Sequence, residues 1–146
     1  IEKYEQYNKL TVSIHPVPLA EVSHYGILSG TWEDNNETEL SISQMNEKPK
    51  ASYAEEILGV RNKDGAKEYY SVFGQYILTP EVFAQLHEDI MQKEIDGDHV
   101  TEIELTSALE AVRHRSGMVG VRLKGRMFDM GNPNALIRAM VEYSCP

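Results

Sequence analysis

The sequence predicts an α/β fold, and three observations carry that prediction. A stretch rich in β-branched residues at 10–17 follows directly on a helical opening, short alternating segments parted by polar turns fill the middle, and helix-start signals recur in the second half. A helix that leads straight into a buried strand is half of a crossover, the connection that joins parallel strands.

Each element follows from its residues. Ile1, Tyr4 and Tyr7 are spaced for one helical face. Thr11, Val12, Ile14 and Val17 predict a strand over 10–17, with Pro16 and Pro18 expected to end its ladder. Tyr25-Gly26-Ile27-Leu28, a polar loop through Asp34-Asn35-Asn36, and 39–45 with Leu40 and Ile42 alternating with polar neighbours predict a hairpin. The stretch 50–67 mixes charges with Gly59 and Gly65 and reads as a partly helical excursion, after which 69–78 reads as a buried strand. Thr79-Pro80-Glu81 places a hydroxyl at the cap, proline at the first helical position and an acid near the positive end of the dipole, so a helix is expected to about Lys93. A turn through Asp96-Gly97-Asp98 precedes a second helix at 102–115, a strand at 119–123 and a final helix at 133–143.

Composition narrows the function. A chain of 146 residues that is 41% hydrophobic can bury one core, so one domain or part of one is expected. The formal charge of −9 argues against nucleic acid, whose backbone is bound by many Lys and Arg contacts. A small polyanion such as a nucleotide stays open, because a bound divalent cation inverts the local field of an acidic site. The single cysteine, Cys145, permits no internal disulfide and suits a reducing compartment. No stretch reaches the roughly 20 apolar residues of a membrane span, and no basic-then-apolar leader opens the chain, so a cytoplasmic protein with no membrane partner is expected. Because Ile1 already lies in a helical pattern, the chain is expected to begin inside a longer protein.

The five histidines show no metal-ligand spacing, and the nucleophile elbow, the Walker loop and the dinucleotide fingerprint are missing. Three local features carry more. Glu47-Lys48-Pro49 follows a predicted strand end; it reads either as a solvated charged loop or as an acid that accepts from hydroxyls beside a lysine that neutralises a phosphate. In Tyr25-Gly26-Ile27 a glycine lies inside a strand, which marks either a bulge or the close approach of a ligand. Phe128-Asp129-Met130-Gly131-Asn132 sets an acid at a strand-to-helix junction, where it either caps the final helix or holds a hard cation such as Mg2+.

Taken in series with 72–81 (VFGQYILTPE) and 101–106 (TEIELT), these motifs resemble the sugar-phosphate half of nucleotidyltransferases of the uridylyltransferase type. The resemblance covers nearly the whole chain, and the ending Val141-Glu142-Tyr143 adds to it. It implies the C-terminal part of a doubly wound, Rossmann-like mixed-sheet fold, with 1–146 as the sugar-phosphate-binding portion and the N-terminal nucleotide-binding portion elsewhere. It further implies uridylyl transfer from UTP to glucose 1-phosphate with Mg2+ as cofactor, giving UDP-glucose and pyrophosphate, and an isolated fragment without activity. Carried over by motif, Gly26 approaches the sugar, Glu47 binds sugar hydroxyls, Lys48 contacts the sugar's phosphate, Val72 and Tyr76 line the pocket with Glu102 as a neighbour, and Asp129 binds the metal. Lys48 and Asp129 are thus the implied catalytic pair.

Two departures bear on sugar choice. The stretch 51–68 is longer and more polar than the resemblance leads one to expect, and Met127 stands where relatives often carry a larger aromatic or polar side chain. Two other classes remain open at this stage: a non-catalytic sugar-phosphate sensor or regulatory homologue, and an assembly module whose exposed sheet edge pairs with a second copy as a homo-oligomer. Retention of Lys48 and Asp129 favours the enzyme over the sensor.

Overall fold

The computed structural model describes residues 1–98, 101–125, 128, 130–131 and 133–144. Helix α1 (Glu2–Tyr7) ends at Asn8, whose φ of 50° puts it in the left-handed region where Asn is among the best tolerated side chains. The chain then enters β1 (Leu10–Val17), on the bounds the β-branched residues predict. Pro16 does not end the ladder: it pairs with Tyr70. On the other side of β1 the partner strand β6 (Met118–Arg122) pairs only with residues 10–14, so the proline sits where that side of the strand needs no donor.

The predicted hairpin is present as β2 (Gly26–Trp32) and β3 (Glu39–Glu47), preceded by a short 3-10 helix, Leu19–His24, that the sequence pattern did not signal. The excursion contains α2 (Ala51–Glu56) and the two-residue strand β4 (Val60–Arg61), which pairs with the start of β5 (Lys67–Ile77). β5 is not the buried strand expected: only Tyr70 and Ser71 are buried, and from Phe73 to Gln75 it runs half-exposed or exposed, with Gly74 at φ 67°. Helix α3 (Pro80–Asp96) begins at Thr79 as predicted, though without a side-chain capping bond, and continues one turn past Lys93 to Gly97 in the left-handed conformation. Helix α4 (Leu105–Ser116), β6 and helix α5 (Pro133–Ser144) complete the chain.

The sheet is mixed. β1 and β6 are parallel, while β3–β6, β2–β3, β2–β5, β4–β5 and β1–β5 are antiparallel. The pairings run β1–β6–β3–β2–β5 and then return from β5 to β1, closing a ring with β4 outside it. Helix α4 lies against β1 and β3 and packs on α3. The main core joins Leu10, Val12 and Ile14 of β1 to Leu40 and Ile42 of β3 and to Leu109 and Val112 of α4. Each such fully buried side chain contributes roughly 1.5–3 kcal/mol by leaving water. A second cluster, Val17, Val22, Ile27, Ala54 and Leu58, seats α2 against the 3-10 helix.

One irregularity positions the site. In β2–β3 the register shifts between Ser29, opposite Gln44, and Gly30, opposite Ile42, so Ser43 is an extra residue on β3. Before it, Leu40 and Ile42 point into the core; after it, Met45 does. Glu47, two residues on from Met45, shares its face, so the bulge moves both to the face of Leu40 and Ile42.

The attachment of α1 is electrostatic. Glu39, buried at the start of β3, accepts from the Tyr7 hydroxyl at 2.7 Å and pairs with Lys3 at 2.6 Å. The hydrogen bonds from Lys3 and Tyr7 hold its carboxyl below the usual glutamate range. Burial pushes Asp34 upward, but bonds from the Thr38 hydroxyl and from the backbone N–H groups of Glu39 and Thr38 outweigh it and leave that carboxyl lowered too. Carboxyls whose folded pKa is depressed add stability above their unfolded pKa and lose it as pH falls through the folded value. Stability is therefore expected to decline below about pH 4.5. In Glu39→Gln the decline should be shallower and the stability at pH 7 lower by about 1–2 kcal/mol, measured by urea unfolding across that range.

Candidate functional site

β2, β3, β5 and α4 converge on a cleft of about 280 Å³ lined by His24, Tyr25, Gly26, Met45, Glu47, Val72, Gly74, Tyr76, Thr106 and Leu109. Val72, Gly74 and Tyr76 of β5 line the cleft, across a stretch where the β1–β5 register shifts and Gly74 takes a φ of 67°. Gly26 at the start of β2 pairs directly with Glu47 at the end of β3. A Cβ at Gly26 would stand 3.0 Å from Oε2 of Glu47, so the glycine leaves room for that carboxylate. On the far side, the Thr106 hydroxyl in the first turn of α4 donates to the same oxygen at 3.0 Å.

Lys48 follows Glu47 with φ at 43°, a left-handed backbone that a lysine rarely adopts. Its N–H donates to the carbonyl of Tyr25 at 3.1 Å, which ties the β3 exit to the entrance of β2, and the buried Pro49 fixes the next residue. The side chain is 65% exposed, and its ammonium lies 3.7 Å from Oε1 of Glu47. It is a cation beside the cleft, and among the described residues Glu47 is the one carboxylate within 4 Å of it. Burial raises the Tyr76 hydroxyl above its ordinary pKa, and the Glu47 carboxylate raises it further, so at neutral pH the phenol is protonated and able to donate.

The structure thus brings together Gly26, Glu47, Val72 and Tyr76, with Lys48 at the edge. It does not bring Glu102 to them. That residue lines a separate cleft with Asp89, Gln92 and Lys93, and its carbonyl accepts from the Lys93 ammonium at 2.9 Å. The reason is the start of α4: the helix begins at Leu105 rather than at 102, and its first turn presents Thr106, not Glu102, to the β3 end. Asp129 and Met127 lie outside the described residues. Sequence reasoning assigned no role to Thr106, His24 or Met45; Thr106 lay inside the 101–106 motif, but a helix expected from 102 hid its place in the first turn.

The arrangement pairs an oriented carboxylate, suited to hydroxyls, with an adjacent ammonium, suited to an anion, and adds an apolar and aromatic wall. Among the described residues no group of three or more His, Cys, Asp or Glu side chains is placed to hold a metal ion. No helix among them is long and apolar enough to cross a membrane.

The chain is similar to known proteins in sequence and in fold. Over 144 residues and 99% of its length the chain is 26% identical to the UTP--glucose-1-phosphate uridylyltransferase of Streptococcus pneumoniae serotype 4, covering 42% of that protein. It is 25% identical, again over 144 residues, to the enzyme of the same name from Staphylococcus epidermidis, covering 43% of it. A crystal structure of UDP-glucose pyrophosphorylase complexed with UDP-glucose superposes with a TM-score of 0.73 at 29% identity, over 98% of this chain and 47% of that one. A UTP-bound enzyme from Acinetobacter baumannii shares the fold, with a TM-score of 0.69 at 21% identity. The chain spans less than half the length of each of these relatives. The model of the nucleotidyl transferase family matches residues 1–144, and the chain belongs to that family.

Proposed function

We propose that this chain is the sugar-phosphate-binding part of a UTP-glucose-1-phosphate uridylyltransferase, a cytoplasmic enzyme of carbohydrate metabolism that joins UTP and glucose 1-phosphate. The observation that carries the reading is the cleft in which Gly26, Glu47, Val72 and Tyr76 meet with Lys48 at the rim. The similarity to enzymes of that name over 99% of the chain supports it. In the intact enzyme a phosphate oxygen of the sugar phosphate attacks the α-phosphorus of UTP in line, and the bond from that phosphorus to the oxygen leading to the β-phosphate breaks as pyrophosphate leaves with the electron pair. Such a reaction needs no covalent nucleophile on the protein, only alignment and charge neutralisation.

The chain's residues divide those tasks. Glu47 accepts from sugar hydroxyls and fixes the ring, the Gly26 edge lets the sugar lie close to the backbone, and Val72 and Tyr76 wall it against water. Lys48 reaches the sugar's phosphate and draws charge from the attacking group. Mg2+ suits the donor chemistry, since it takes only one or two protein carboxylates alongside substrate phosphates, and Asp129 would be this chain's carboxylate for it. When bound, the ion supplies charge neutralisation at the triphosphate.

The test is pyrophosphate release by the intact protein with UTP, Mg2+ and a panel of sugar 1-phosphates, beside Asp129→Ala. Turnover of glucose 1-phosphate that falls at least about 1,000-fold in the variant is expected, the size associated with losing a central electrostatic group. Absence of turnover with every sugar 1-phosphate tried, from well-folded protein, would overturn the reading in favour of a sugar-phosphate sensor.

A further inference from the structure

We infer that Thr106 is a positioning residue that sets how the cleft's carboxylate meets the sugar; the inference rests on the functional reading above. The last torsion of a glutamate is broad, so an unassisted Glu47 would present its two oxygens over a wide range of rotations. Here one oxygen is held by a hydrogen bond, in space that a glycine leaves open. The Thr106 hydroxyl donates to Oε2 at 3.0 Å, and the same oxygen sits beside Gly26, where a Cβ would come within 3.0 Å of it. Oε1 is left toward Lys48, 3.7 Å away.

The clamp is rigid because of where it is mounted. Thr106 stands in the first turn of α4, whose Leu109 and Val112 are buried in the main core, and α4 packs on β3, the strand that carries Glu47. A threonine on a helix keeps only two main χ1 rotamers, and the bond to Glu47 selects one of them. A carboxylate offers about four lone-pair sites. Thr106 occupies one on Oε2 and thereby orients the remaining sites, so that a hydroxyl of the sugar finds an acceptor already aligned beside the ammonium that takes the phosphate. The consequence is a role in recognising one particular sugar hydroxyl, without contact with the reacting atoms.

The experiment is steady-state kinetics of the intact enzyme and of Thr106→Val, Thr106→Ala and Thr106→Ser, with glucose 1-phosphate and its monodeoxy analogues. Removing the hydroxyl is expected to raise KM for glucose 1-phosphate about tenfold with kcat within about twofold, since a hydrogen bond that orients a charged group contributes on that scale. Serine, which keeps the donor, should restore KM. One analogue should be insensitive: for the sugar lacking the hydroxyl that Glu47 accepts, wild type and Thr106→Val should have the same KM. An equal loss on every analogue, a loss confined to kcat, or no loss at all would overturn the role of Thr106 while the functional reading stands. A wild type that turns over no sugar 1-phosphate would overturn both. If valine prevents folding, the alanine variant gives the same comparison.

Discussion

Lys48→Ala in the intact enzyme is expected to lower kcat/KM for glucose 1-phosphate by about 100- to 1,000-fold, the cost of removing one charge-stabilising group from a phosphoryl-transfer site. The ammonium is exposed and its recorded ion-pair partner is Glu47 at 3.7 Å, so it is free to follow a phosphate. Its backbone is the constrained part: φ is 43° and its N–H bonds the carbonyl of Tyr25, the residue before Gly26. Little of the fold depends on the side chain itself, so the variant should unfold within about 0.5 kcal/mol of wild type in urea. Lys48→Gly, which suits the left-handed backbone, should be as inactive and no less stable. Wild-type kcat/KM in both variants would remove Lys48 from the chemistry.

Gly30→Ala is expected to destabilise the protein by about 3 kcal/mol, seen as a fall of about 10 °C in the thermal midpoint. A Cβ there would overlap the backbone carbonyl oxygen of Ser41 and stand 3.0 Å from Cγ of Leu40, which is fully buried. Neither neighbour can yield: the carbonyl belongs to a paired strand, and Leu40 is in the core. The position also borders the bulge that turns Glu47 to the cleft face, so the same strain reaches the site. Gly65→Ala is the comparison. That turn residue has φ of 81° but open space around it, so only the backbone term remains, about 1 kcal/mol. Equal losses at both positions would show that crowding at Gly30 is relieved elsewhere.

Much of this fold could be read from local pattern. β1, the β2–β3 hairpin and α3 carry their signals in adjacent residues: β-branched runs, alternation around a polar loop, and a Thr-Pro-Glu start. What could not be read depends on partners distant in the chain. Pro16 stays in its ladder because β6, a hundred residues later, stops pairing at Ile14. β5 looked buried by composition, yet it spends its apolar residues on three different partners and leaves 73–75 outward. The bulge at Ser43 has no sequence mark of its own; it is imposed where Gly30 lets two strands approach.

The site divides in the same way. Gly26, Glu47, Lys48, Val72 and Tyr76 were assigned from motifs in a fixed order, and four of them line one cleft with Lys48 beside it. Glu102 was carried over by motif as a neighbour of the pocket, and the late start of α4 puts Thr106 there instead: the glutamate lines the cleft beside α3 and the threonine bonds Glu47. A residue whose role is to hold another side chain becomes visible only when the helix that carries it is docked.

The central claim is that the cleft between β2, β3, β5 and α4 receives a sugar 1-phosphate. Titration of the isotope-labelled intact protein with glucose 1-phosphate, followed by amide resonances, tests it most directly. The predicted result is saturable shifts centred on Gly26, Glu47, Lys48, Val72, Tyr76 and Thr106, with inorganic phosphate moving Lys48 alone among them. Shifts centred instead on the cleft around Thr31, Asp34 and Arg61, or no saturable shift at millimolar ligand, would contradict it.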